Sequence, residues 1–107
     1  MARPYSDKFL LGLKTADEER VGIQLAKICV QSKFPALYIA HHFEVTRMTI
    51  YKWFRGSYIS EKNCIRIQRF IKEIKKDLEN GSLPVASAKG ARAYLSNLKV
   101  EQIKSLT

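Results

Sequence analysis

The stretch of residues 36–56 constrains the fold of this chain most strongly, because its apolar positions fit two short helices that meet at a tight turn. Ala40 is a small residue in the first helix, at a point where a crossing helix comes close. Val45 follows the turn, and Ile50 and Trp53 lie three residues apart, which places both on one face of the second helix. The pattern predicts a helix pair whose second member is held by its apolar side.

The outer side of that second helix is rich in groups that form hydrogen bonds or carry positive charge. It opens with residues that are free to point outward, namely Thr46, Arg47, Met48 and Thr49. Once the inward positions are removed, the outside also includes Tyr51, Lys52 and Arg55. A helix displayed in this way fits the major groove of double-stranded DNA.

The positive charge of the chain is concentrated around this helix pair. The formal net charge of the 107 residues is +9. From Arg20 to Lys76 there are twelve Lys and Arg residues and three acids, Glu44, Glu61 and Glu73. Twelve minus three gives +9, so this span carries the whole excess and the flanking segments sum to zero. A polyanion such as nucleic acid is the natural partner, and a basic surface without a specific target is the alternative.

Signals for catalysis, metal binding or membrane insertion are weak. Acids are scarce, there is no Gly-rich phosphate loop, and no Ser or Cys is patterned with a base, so we predict neither an enzyme nor a cofactor or small-molecule ligand. Cys29 and Cys64 are interpreted as buried free thiols. His41 and His42 are interpreted as a solvent-facing or DNA-proximal pair rather than a metal site. Without a signal peptide or a run of ~18 apolar residues, the chain is expected in a reducing cytoplasm and away from membranes.

The periodicity of apolar residues predicts an all-α chain. The predicted helices span 16–32, 35–43, 46–54, 60–79 and 91–106. Thr15 is expected to cap the first of them and Thr46 the third, which ends at Gly56. The predicted organisation is an N-terminal arm over 1–14, a DNA-binding domain over 15–80, a linker over 81–90 and a C-terminal helix over 91–107, which is a candidate dimerisation element.

Three groups of residues resemble the lambda-repressor-like family, the Cro or XRE type of helix-turn-helix protein. They are Ile39-Ala40, the run from Val45 to Trp53, and Arg55-Gly56. The resemblance covers roughly residues 16–79 and implies a compact domain of four or five helices, with the third helix in the major groove. The family commonly has Gly in the turn, where this chain has Glu44. If the turn requires a positive φ, Glu there costs about 1 kcal/mol.

The resemblance also implies a role for each exposed residue of this region. Base edges would be contacted by Thr46, Arg47, Met48, Thr49 and Tyr51. Arg47 is the best candidate for a bidentate contact to guanine, and Met48 for a contact to a thymine methyl. Phosphates would be held by Lys33, Lys52, Arg55, Ser57, Tyr58, Lys62 and Asn63. The basic face of the helix over 60–79 is interpreted as solvated, with contact to DNA left open.

The leading functional hypothesis is a small, sequence-specific transcriptional regulator of phage or mobile-element type. Members of the resembled family usually bind double-stranded DNA as two-fold dimers, and the helix over 91–106 is expected to supply the dimer contact. Two alternatives belong to other classes. One is a DNA-packaging or virion-assembly component similar to a small terminase subunit, and the other is a protein-interaction module that inhibits a host protein.

Overall fold

A computed structural model describes residues 5–14, 16–17 and 19–105, and for residues 99–105 it describes the backbone alone. The described part consists of α-helices without a strand, as the all-α prediction requires. The helices are α1 (Asp7–Lys14), α2 (Val21–Ser32), α3 (Ala36–Phe43), α4 (Arg47–Phe54), α5 (Glu61–Glu79) and α6 (Ala88–Ser105). The Cα radius of gyration, 13.2 Å, is that of a compact domain of this length.

The first predicted helix begins later than expected, at Val21 instead of residue 16. The Asp17 carboxylate accepts a hydrogen bond from the Glu19 amide at 3.0 Å, and the Arg20 amide donates to the Asp17 carbonyl at 3.3 Å. A side chain bonded in this way closes a turn and competes with the helix. The predicted cap, Thr15, lies outside the described residues.

The helix pair α3 and α4 agrees with the predicted bounds to within one or two residues, and a three-residue turn joins its members. Glu44 adopts the left-handed conformation, with φ 58° and ψ 42°, so the turn does require a positive φ. The Val45 amide donates to the Ala40 carbonyl at 3.0 Å, which closes the end of α3. Thr46 caps α4 as predicted, because its hydroxyl accepts a hydrogen bond from the Thr49 amide at 3.1 Å.

The core lies between α2 and the helices that pack against it, which are α1, α4 and α5. An aromatic cluster joins three helices through Phe43, whose ring meets that of Phe70 edge-on at 5.2 Å and that of Trp53 at 6.0 Å. Helices α2 and α4 come close together at Gly22 of α2, where an added Cβ would lie 2.0 Å from the Trp53 carbonyl oxygen of α4. Gly22 therefore lets α2 cross the backbone of α4 directly.

The N-terminal residues that the structure describes belong to the core as well. The Tyr5 hydroxyl donates to the Phe34 carbonyl at 2.6 Å. Its ring stacks on Phe9 at 5.3 Å and meets Phe54 of α4 at 6.1 Å. Burial raises the pKa of Tyr5 well above its usual value. Within the predicted arm, the segment 7–14 is thus a helix that packs on α2, and residues 1–4 lie outside the described part.

The C-terminal region folds back onto α3. In the predicted linker over 81–90, Leu83 is buried and the Val85 amide donates to the Ser32 carbonyl at 3.3 Å. Helix α6 begins three residues before the predicted start and packs against α3 through its buried residues, Ala91, Leu95 and Leu98. Tyr94 adds a stacked contact to Phe34 at 5.5 Å and a hydrogen bond to Asp77. Among the described helices, none combines the length and apolarity that a bilayer crossing needs.

Candidate nucleic-acid interface

Helix α4 separates an apolar inner side from a polar outer side. Ile50, Trp53 and Phe54 are buried, at 0 %, 4 % and 1 % exposure. The exposed residues are Thr46, Arg47, Met48, Lys52 and Arg55, while Thr49 and Tyr51 are half-buried. Met48 keeps 68 % of its surface exposed. The residues predicted to meet base edges are therefore brought together on one accessible surface, with Tyr51 at its margin.

The two threonines at the start of α4 share one hydrogen-bond network. Their hydroxyl oxygens are 3.0 Å apart, and the Thr46 oxygen also accepts from the Thr49 amide. A hydroxyl has one donor and two acceptor positions. Whichever hydroxyl donates to the other, the second keeps its O–H donor. The cap therefore holds α4 in place and still presents one donor at its first turn.

Tyr51 is only partly available for an external contact. Its ring meets that of Phe54 edge-on at 6.1 Å, and it lies close enough to Tyr5 to contribute to the raised pKa of the Tyr5 hydroxyl. The ring of Tyr51 thus helps to close the core beside the N-terminal segment. Only its outer edge reaches the surface that Arg47 and Met48 define.

Two arginine side chains anchor the helix pair through hydrogen bonds to backbone carbonyls. The Arg66 guanidinium donates to the Phe43 carbonyl at 3.3 Å and lies 5.5 Å from the centre of the Phe43 ring. The Arg20 guanidinium donates to the Gly56 carbonyl at 2.7 Å. Both carbonyls lie at helix C-termini, where unpaired acceptors and the helix dipole favour a cation. Sequence reasoning counted Arg66 among the exposed cations of a basic face, because spacing alone does not reveal a carbonyl on a neighbouring helix.

Five of the seven residues predicted to hold phosphates lie in one stretch of the chain, from Lys52 near the end of α4 through the loop to Lys62 at the start of α5, and this stretch is called the band below. Its exposed members are Lys52, Arg55, Ser57, Tyr58 and Lys62. Tyr58 is 89 % exposed, so its hydroxyl is fully accessible. From residue 46 to residue 62 the chain holds four cations and one acid, Glu61. The band therefore presents positive charge beside the outer surface of α4.

Asn63 and Lys33 fit the predicted band less directly. The Asn63 side-chain oxygen accepts a hydrogen bond from the Arg66 guanidinium at 3.3 Å and is thus engaged within the protein. The side-chain nitrogen of Asn63 stays available as a donor. Lys33 is exposed at the left-handed end of α2, with φ 61°. Its neighbour Phe34 is connected to α4 through Tyr5. The structure therefore does not bring Lys33 together with the other residues predicted to hold phosphates.

The two histidines and the two cysteines differ in burial. His41 is exposed, but His42 is buried and its ring lies 4.9 Å from that of Phe43 and 5.0 Å from that of Phe70. The expectation of a solvent-facing pair was wrong, because neighbouring residues of a helix point in different directions. Cys29 is fully buried, and burial raises the pKa of its thiol. Cys64 is half-buried. Within the described ranges, no three His, Cys, Asp or Glu side chains are grouped to hold a metal ion.

Comparison of this chain with models of protein families, with curated proteins and with solved structures finds no match. We therefore infer the function from the geometry and charge of the chain itself. Those features are a short helix with an accessible mixed surface, a cationic band beside it, and anchors that fix its position.

Proposed function

We propose that this chain is a small, sequence-specific double-stranded DNA-binding transcriptional regulator of phage or mobile-element type. In this proposal α3 and α4 form a helix-turn-helix of the lambda-repressor-like kind, and α4 lies in the major groove. The observation that carries the proposal is the clean division of α4. Its apolar residues are buried, while Arg47, Met48 and Lys52 stay exposed together.

The outer surface of α4 has the chemistry that base recognition needs. An α-helix with its side chains is about 10–12 Å across, and the major groove is about 12 Å wide. Arg47 supplies a forked donor for guanine, Met48 an apolar contact for the thymine methyl, and Thr46 or Thr49 a hydroxyl donor. An exposed thioether such as that of Met48 has no part in holding phosphates, which bind cations and hydrogen-bond donors. The mixture of side chains favours the reading of bases.

The band from Lys52 to Lys62 would position α4 on the duplex. Lys52, Arg55 and Lys62 contribute charge, and Ser57 and Tyr58 contribute neutral hydrogen bonds to phosphate oxygens. Such contacts supply much of the affinity and make it depend on salt. The Arg20 and Arg66 anchors support this arrangement, because they tie the C-terminal ends of α4 and α3 to the start of α2 and to α5.

The proposal includes a homodimer that acts in the cytoplasm. A two-fold dimer places two copies of α4 about one helical turn of DNA apart. Ala91, Leu95 and Leu98 already pack within the chain. A dimer contact through α6 would therefore use residues other than these three.

The decisive experiment is the selection of bound sequences from random duplex DNA, with the mass of the protein in solution measured in parallel. We expect a palindromic motif and a dimer mass. A ring of eight or more copies would favour the packaging component instead. Absence of any enriched sequence, together with capture of an acidic protein, would reject the regulator.

A further inference from the structure

Helix α5 carries a row of cations that the surface of α4 does not require. Lys62, Arg69 and Lys76 recur at intervals of seven residues, which is close to two helical turns, and Lys72 lies beside them three residues after Arg69. All four side chains are exposed. The opposite side of the helix is buried through Ile67, Phe70, Ile71 and Ile74. These four cations, called the α5 row below, therefore face directly away from the core.

The charge of the α5 row is only partly balanced within the helix. Glu73 lies four residues after Arg69 and three before Lys76, but among the residues that the structure describes no ion pair joins the four cations of the row to an acid. Like charges three and four residues apart, such as Arg69 with Lys72 and Lys72 with Lys76, destabilise a helix. A polyanion bound along the row would relieve that repulsion. Arg66 differs from its neighbours, because the Phe43 carbonyl and Asn63 already engage it.

The α5 row and the band that begins at Lys52 follow one another in sequence and share Lys62. The row begins at Lys62, directly after the loop that holds Ser57 and Tyr58. From Lys62 to Lys76 the helix axis extends about 21 Å. Each strand of duplex DNA carries one phosphate per ~3.4 Å of the axis, so a length like this spans about six phosphates of one strand. The row contains no group for reading bases, which distinguishes it from α4.

We propose that the α5 row is a second DNA-contacting surface, which binds the phosphate backbone without regard to sequence and extends the contact beyond the segment that α4 reads. The inference rests on the proposed function, because Lys62 belongs to both surfaces. Its consequence is a division of labour. Helix α4 selects the site, and the α5 row increases the affinity for any duplex long enough to reach it.

The test compares two variants that lose the same charge. The first is the triple substitution Arg69→Gln, Lys72→Gln and Lys76→Gln, which removes the row beyond Lys62. The second is Lys14→Gln, Lys75→Gln and Lys89→Gln, which neutralises exposed cations elsewhere, one of them on α5 but outside the row. Binding to a long duplex that contains the selected site is titrated over a range of salt. Circular dichroism checks that all three proteins are folded.

Log K falls as log salt rises, and we expect the row variant to make this slope less steep by about 2.7, which corresponds to three lost phosphate contacts. Between roughly 50 mM and 200 mM salt, both proteins lose affinity, and the fold-loss of the row variant should be about 40 times smaller than that of the unmodified protein. The control should keep the original slope. Equal salt slopes for the two variants, with the sequence preference intact, would show that the α5 row does not contact DNA and would leave the proposed function standing. Failure of the unmodified protein to bind any duplex would reject the proposed function and the row together.

Discussion

Helices α4 and α5 both present a cationic side to solvent, yet they are built in opposite ways. Helix α4 has eight residues and depends on its neighbours, since the Gly22 crossing and the Arg20 and Arg66 anchors hold the helix pair in place. Helix α5 has nineteen residues and a broad apolar face of its own. The outer side of α4 mixes hydroxyls, a thioether and an arginine, whereas that of α5 is dominated by cations. The difference separates a surface suited to selecting a sequence from one suited to holding a backbone.

The contact between α2 and α4 gives the largest expected effect. In Gly22→Ala the new methyl group would lie 2.0 Å from the Trp53 carbonyl oxygen, so the backbones must move apart. We expect the free energy of unfolding to fall by about 3 kcal/mol and DNA binding to weaken with it. Gly12→Ala is the matched control, since nothing lies within 4 Å of a Cβ there. It should raise stability by about 0.5–1 kcal/mol. Equal urea midpoints for the two variants would show that α4 does not depend on this crossing.

The second prediction compares one residue of α4 with one of the band. Arg47→Ala should reduce discrimination between the selected site and a scrambled duplex by about 1–3 kcal/mol, because a bidentate contact to a base is lost. Lys62→Ala should weaken binding to both duplexes alike and reduce the salt slope by about 0.9. Titration of both duplexes at several salt concentrations measures the two quantities. Identical discrimination and salt dependence in the two variants would contradict the assignment of base contact to Arg47 and of phosphate contact to Lys62.

The N-terminal caps of the two helices offer a third comparison. Thr46 accepts from the Thr49 amide at 3.1 Å, and Ser60 accepts from the Asn63 amide at 3.4 Å. Substitution of either by Ala should lower the free energy of unfolding by about 1 kcal/mol. In Thr46→Ala the affinity for the selected site should also fall, because its hydroxyl belongs to the contact surface. Affinity and denaturant stability are measured side by side. If Ser60→Ala lowers affinity equally, the effect comes from stability and not from contact.

The sequence predicted the parts of this structure that depend on local periodicity. The bounds of α3 and α4, the Thr46 cap and the exposed side of α4 follow from spacing within a single helix. The anchors Arg20 and Arg66 do not, since their carbonyl partners lie 36 and 23 residues away along the chain. The burial of Phe54 likewise depends on Tyr5 and Phe9, which come from a segment predicted as an arm. Contacts between distant segments are decided by packing, which apolar periodicity does not encode.

The smallest expected effect concerns the turn that sets the direction of α4. Glu44 has φ 58°, a conformation that glycine adopts without strain. We expect Glu44→Gly to raise the free energy of unfolding by up to about 1 kcal/mol, measured by urea denaturation. Glu44→Ala keeps a Cβ at the same φ, so it should give no such gain. A gain of the same size in both variants would attribute the effect to the removal of a negative charge from the C-terminus of α3, where the helix dipole disfavours it. A gain in Glu44→Gly alone would show that α4 keeps its orientation at the expense of backbone strain.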